Sequence, residues 1–101
     1  MASGISAVRY GSFIGTGADI EIRGEIGFRP RSVRILAEVG LATGDWTEGM
    51  ADGSVLKRVT AGDLTLVTGG NGITPLSDGF KIGADADLNG SGELVRWEAT
   101  E

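Results

Sequence analysis

In this 101-residue chain the segment Asp85-Ala86-Asp87-Leu88-Asn89-Gly90-Ser91-Gly92-Glu93 has the spacing best suited to chemistry. Side-chain oxygens alternate at 85, 87 and 89 and are followed by glycine. That is the alternation of a calcium loop, where oxygen ligands converge on a hard cation and glycine permits a sharp turn. Asp85, Asp87 and Asn89 are therefore the candidate metal ligands. Two parts of the helix-loop-helix calcium pattern are missing. The place of the bidentate glutamate is held by Arg96, and the apolar place after the seventh position is held by Gly92. Asp, Asn and Gly favour turns for reasons of their own, so a solvated hairpin loop accounts for the same residues. No metal site is assigned and no cofactor is expected.

Other chemistry finds less support. Gly15-Thr16-Gly17 has Ile20 where a phosphate loop needs its third glycine, and no Lys-Ser/Thr pair follows, so it reads as a turn. Paired carboxylates can hydrolyse glycosides, and Asp45 with Glu48 or Asp63 with Asp78 would be such pairs. Fourteen acidic residues on so small a surface always yield pairs, and no spacing singles one out. There is no histidine and no cysteine. That removes the Ser-His-Asp triad, the Cys-His dyad, the Cys/His zinc sites and the commonest general base. The chain is not expected to be an enzyme.

Two features could serve binding. Arg29, Arg31 and Arg34 form the one local basic cluster, and arginine is the favoured interface cation because its planar fork pairs with carboxylates. Trp97 falls on an apolar parity and reads as core. Trp46, in Gly44-Asp45-Trp46-Thr47-Glu48, has no clear face; core, interface and ligand platform all stay open.

Composition sets the frame for these residues. The length suits one domain, taken as residues 1–101. A net charge of −5 argues against a nucleic-acid partner. No apolar run approaches the ~20 residues of a membrane-spanning helix, so no membrane partner is expected. The opening Met1-Ala2-Ser3-Gly4 lacks a basic segment followed by an apolar one, so no signal peptide is expected, and synthesis in the cytoplasm of whatever cell makes the chain is. Eighteen glycines without a collagen period punctuate turns between short strands.

The strands that must position these residues follow from alternation. Ile20, Ile22, Ile26 and Phe28 share one parity against Asp19, Glu21, Arg23 and Glu25, with Gly24 as a bulge or bend. Residues 32–39 alternate Val33, Ile35, Ala37 and Val39; a helix stripe with Ser32 as cap also fits, but β-branched side chains favour a strand. Further strands are expected over residues 54–60, with Lys57 and Arg58 exposed, and over 64–67, 79–82 and 95–99. At the front, Val8, Tyr10 and Ile14 share a parity across Ser12. Gly69-Gly70-Asn71-Gly72 and residues 85–92 read as loops. The sum is an all-β single domain, an antiparallel β-sandwich or jelly-roll-like barrel of seven to nine short strands.

Several segments resemble a small β-sandwich domain that recurs in structural proteins of tailed bacteriophages. They are Tyr10-Gly11-Ser12-Phe13-Ile14-Gly15-Thr16-Gly17 before Ile20-Glu21-Ile22, then Gly27-Phe28-Arg29-Pro30-Arg31-Ser32-Val33-Arg34-Ile35. The last is Asp78-Gly79-Phe80-Lys81-Ile82-Gly83-Ala84-Asp85-Ala86-Asp87-Leu88-Asn89, with Gly92 and a closing Trp97. The resemblance spans residues 10–99 and its motifs are short and glycine-led. It brings no catalytic residues. It implies a virion location, here as a free-standing capsid decoration or cement protein that binds the outer head surface and stabilises it. The implied partners are the major capsid protein, or another virion protein, and further copies of the chain, with a trimer as the expected homo-oligomer. Arg23, Glu25, Lys57 and Arg58 are expected to block sheet edges. Two rival expectations stand beside this one: a tail-tip or fibre module that binds a receptor glycan on Trp46, and an adhesion module stabilised by calcium at Asp85, Asp87 and Asn89.

Overall fold

A computed structural model describes residues 7–60 and 62–101. The opening Met1-Ala2-Ser3-Gly4 segment, read above for a signal peptide, lies outside them, as does Ala61. Nine strands follow in chain order: β1 (Val8–Ile14), β2 (Ile20–Ile22), β3 (Ser32–Ala37), β4 (Ala42–Thr47), β5 (Val55–Arg58), β6 (Leu64–Val67), β7 (Ile73–Leu76), β8 (Gly79–Ile82) and β9 (Leu94–Thr100). They form a six-stranded sheet in the order β1-β9-β3-β4-β5-β6 and a three-stranded sheet in the order β2-β8-β7, both antiparallel. The all-β sandwich expected from the sequence is the fold.

The core lies between the sheets. The large sheet contributes Phe13, Val33, Ile35, Trp46, Val55, Val95, Trp97 and Ala99, and the small one Ile22, Ile73, Phe80 and Ile82. Alternation explains the strongest strands. In β9 and β3 every second residue is apolar and buried, as period-two geometry requires. Phe80 meets Trp97 edge to face at 5.8 Å between ring centroids, which joins the two layers. Trp97 also lies under Gly11 of the neighbouring strand, where a Cβ would come within 2.4 Å of its ring. Glycine at 11 is thus a packing requirement for one of the two core tryptophans.

One expectation is completed and three are corrected. Val8, Tyr10 and Ile14 do share a face, but it is the solvent face, because Phe13 takes the inward parity with Gly11. The run from Ile20 to Phe28 is not one strand. β2 ends at Ile22, a turn follows with Ile26 N–H donating to the Arg23 carbonyl, and Ile26 reaches the core from that turn. Residues 32–39 are a strand only to Ala37; Glu38, Val39, Gly40 and Leu41 form the turn into β4. Lys57 is not exposed, for it faces inward and is largely buried.

Candidate functional site

The 85–89 loop is built around an internal cation. Asp85 Oδ2 accepts hydrogen bonds from the backbone N–H of Asp87 and of Leu88, at 3.1 Å each, which tightens the turn. Its two oxygens also accept from Lys57 Nζ at 2.9 and 3.2 Å, and Asp87 Oδ2 accepts from the same nitrogen at 2.8 Å. The Lys57 and Asp85 side chains retain only 13% and 12% of their exposure. Burial works against the lysine charge, but its hydrogen bonds to Asp87 and Asp85 and their negative charge outweigh it and raise its pKa. The three candidate calcium ligands do not meet at one point. Asp85 and Asp87 do converge, but on the Lys57 ammonium. Asn89 points elsewhere: its Oδ1 accepts from Thr16 N–H, and its Nδ2 donates to the Ala18 and Gly83 carbonyls. Among the described residues no group of His, Cys, Asp or Glu is arranged to hold a metal ion. We expect superimposable melting curves in millimolar calcium and in chelator; a rise in Tm with calcium would overturn this reading of the loop.

The binding candidates separate. Trp46 is 3% exposed and donates its indole N–H to the Ala51 carbonyl at 3.3 Å, so it belongs to the core and offers no platform to a sugar. Arg29 and Arg31 are exposed in the segment before β3. Arg34 is on β3 itself, on the outer face of the large sheet, where Nε donates to Asp45 at 3.0 Å. That bond and the Asp45 charge, with a smaller contribution from Glu98, raise its pKa. Of the carboxylate pairs, Asp45 is thereby held by Arg34 and Asp78 by Arg23 at 2.6 Å.

What the sequence reading missed is the surface around Arg34. Eight exposed large hydrophobic side chains lie on strands: Val8, Tyr10, Ile14, Leu36, Leu56, Leu64, Leu66 and Leu94. Every one is on the six-stranded sheet and points away from the core. The register places them in rows across it. One row runs Tyr10, Glu98, Arg34, Asp45, Leu56, Leu66; the next runs Ser12, Arg96, Leu36, Thr43, Arg58, Leu64. Among the described residues the two remaining exposed large hydrophobics, Val39 and Leu41, occupy the β3–β4 turn of the same sheet. Leu41 has φ of 54°, a left-handed conformation that a leucine adopts only at a cost of about 1–2 kcal/mol. It is nevertheless 62% exposed, so folding gains little from having leucine there. The outer face of the small sheet is different in kind, with Glu21, Thr74 and Lys81.

Leu36 is the centre of this face. It borders three open depressions of about 300, 390 and 410 Å³, reaching Leu56 and Leu64 on one side, Leu41 on the second and Tyr10 on the third. Between the apolar groups Arg34 pairs with Asp45 and Arg96 with Glu38. Arg34, Arg58 and Arg96 balance Glu38, Asp45 and Glu98, so the face is near neutral in a chain of charge −5. Exposed apolar side chains interleaved with paired charges are a mixture that protein-facing surfaces carry. The signal in the sequence was a leucine on the charged parity, Leu36 between Arg34 and Glu38. Comparison of the chain with protein-family models, with curated proteins and with solved structures finds no match.

Proposed function

We propose that this chain is a non-catalytic structural module of a phage virion, a capsid decoration protein that docks on the outer head surface through the outward face of its six-stranded sheet. The observation that carries the docking function is that, among the described residues, the exposed large hydrophobic side chains lie on that sheet and its β3–β4 turn, while the outer face of the other sheet carries Glu21, Thr74 and Lys81. The resemblance of residues 10–99 to virion domains supplies the phage setting. A neutral apolar face fits a protein surface rather than a nucleic acid, whose phosphates call for a basic one. Stabilisation then comes from burying the same patch at many equivalent positions, which favours the assembled shell by mass action.

Quantitative mass spectrometry of purified particles tests the assignment. A copy number in a simple ratio to the major capsid protein supports head decoration. A few copies place the chain in the tail, and absence from the particle sinks the virion reading. The face is tested separately with the double variant Leu36→Lys/Leu56→Lys. We expect it to stay folded and to melt within about 8 °C of the parent, since both side chains lie on the outer face, and to be lost from particles. Retention at parental occupancy would remove the face from the docking function.

A further inference from the structure

The two sheets present four edges: β1 and β6 on the large sheet, β2 and β7 on the small. A strand edge displays unpaired N–H and C=O groups that template another strand, and native edges carry devices against it. Three of the four do. β2 is three residues long with Glu21 at its centre. β7 contains Pro75, which has no N–H, and its first residue is bridged by Ser54. β1 carries Arg9 and has Gly11, a poor strand former, at its centre. β6 has none: Leu64-Thr65-Leu66-Val67 is uncharged, lacks proline, pairs with β5 without a bulge, and exposes Leu64 and Leu66 on one face and Thr65 on the other. The charges expected to guard edges lie elsewhere, Lys57 and Arg58 on the interior strand β5 and Arg23 and Glu25 beyond the end of β2.

We infer that β6 is the seam of a two-fold dimer, in which a second copy of this chain adds its own β6 antiparallel to the first. The sequence of the strand is complementary to itself in one register. Val59 N–H donates to the Asp63 carbonyl at the β5–β6 turn. Because antiparallel ladders alternate, Asp63, Thr65 and Val67 then direct their backbone groups to β5, while Leu64 and Leu66 direct theirs to the open edge. A two-fold axis normal to the sheet at Thr65 sets Leu64 opposite the Leu66 of the second copy, where the two exchange both N–H···O bonds. Thr65 meets its counterpart in the closer, non-hydrogen-bonded position. The leucines of both copies then fall on one face, continuous with Leu56. Asp63 falls opposite Val67, so no like charges meet across the seam. A slip of one residue would turn the second copy's leucines to the wrong face. Pairing of β6 with β1 of another copy would instead propagate open chains or rings.

The inference is independent of the virion setting, and the experiment uses the purified chain. It has no cysteine, so Thr65→Cys introduces a single thiol. In the two-fold register the paired Cα atoms stand about 4.5 Å apart, within disulfide reach. We expect Thr65→Cys to oxidise to a covalent dimer at least about tenfold faster than the exposed turn variant Ser77→Cys at equal concentration. We expect Thr65→Glu and Thr65→Lys each to sediment as monomers where the parent dimerises, and their mixture to recover the dimer. Equal oxidation rates for the two cysteine variants overturn the seam. So do unchanged dimerisation of Thr65→Glu, or a parent that sediments as a trimer or an open polymer. The copy number in particles can fail without touching this result, and the converse holds.

Discussion

Asn89→Ala lowers stability by about 3 kcal/mol and the melting temperature by roughly 10–20 °C. Asn89 is fully buried, and its amide joins three separated backbone positions. Its Oδ1 accepts from Thr16 N–H at 3.0 Å; its Nδ2 donates to the Ala18 carbonyl at 2.6 Å and to the Gly83 carbonyl at 3.0 Å. Around it Gly17 N–H donates to the Asn89 carbonyl, Gly15 N–H to that of Glu93, and Gly92 N–H to that of Gly15. One amide therefore holds the exit of β1, the end of β8 and the approach to β9. Alanine leaves the Gly83 carbonyl buried without a donor, which alone costs about 1–3 kcal/mol, and forfeits two part-buried bonds besides. Asn89→Asp sharpens the test. Aspartate keeps the acceptor for Thr16 but has no donor for the two carbonyls, and it buries a charge. It should be at least as destabilising as alanine at neutral pH and should recover partly in acid, measured by thermal and urea unfolding. A loss below about 1 kcal/mol for alanine would show that the loop is held by other means.

Lys57→Met is the second large effect, a loss of about 2–3 kcal/mol. Removing one partner of a buried ion pair leaves the other charge uncompensated. Asp85 keeps its two backbone donors and Asp87 is 47% exposed, which places the loss at or just below the low end of the range for such changes. The double variant Lys57→Met/Asp85→Asn should recover part of it, because the charge left behind is gone. The pH dependence lies on the alkaline side. The folded-state pKa of Lys57 is raised above its unfolded value. Its contribution is thus fully present below the ordinary lysine value of about 10.4 and is lost as pH rises through the folded value. The difference in unfolding free energy between parent and Lys57→Met should be flat from neutral pH to about 9 and shrink above 10.4. A difference that instead vanished near neutrality would contradict the ion pair.

The contrast between β9 and β4 shows what the residues themselves could disclose. Val95, Trp97 and Ala99 alternate with charged neighbours, so both the strand and its buried face are legible. β4 is as regular, but its inward residues are Ala42, Gly44 and Trp46. They alternate in size, not in apolarity, because Leu88 and Val55 fill the space above Gly44, where a Cβ would stand 2.8 Å from Leu88. Only the packed neighbour, distant in sequence, gives that strand its sense. β7 was missed because Pro75 argues against a strand, and an edge is where proline is tolerated. The shared parity of Val8, Tyr10 and Ile14 was legible, but not its sense, because three apolar residues of β1 face outward and Phe13 inward. The candidate site was hidden for the same reason. No local pattern tells an outward leucine from a core one, and Leu36, Leu56, Leu64 and Leu66 face outward. The meeting of Lys57 with Asp85 and Asp87 joins β5 to a loop some thirty residues on, and no local pattern encodes it.

The position of β9 between β1 and β3 bears on how the chain is made. β1 has one ladder neighbour, and it is the last strand to be synthesised. From Ile14 to Leu94, at roughly 5–20 residues per second, a nascent chain waits several seconds with Tyr10, Phe13 and Ile14 on an unpaired segment. The β3–β4–β5–β6 meander can assemble meanwhile from neighbouring hairpins, but it lacks the two strands that carry Trp97 and Phe13. Docking of β9 therefore completes both sheet and core in one late, long-range step, which makes folding slow for so short a chain. Ribosome-bound chains halted before residue 94 should accordingly be cut by protease within residues 8–14, a region shielded once β9 is in place.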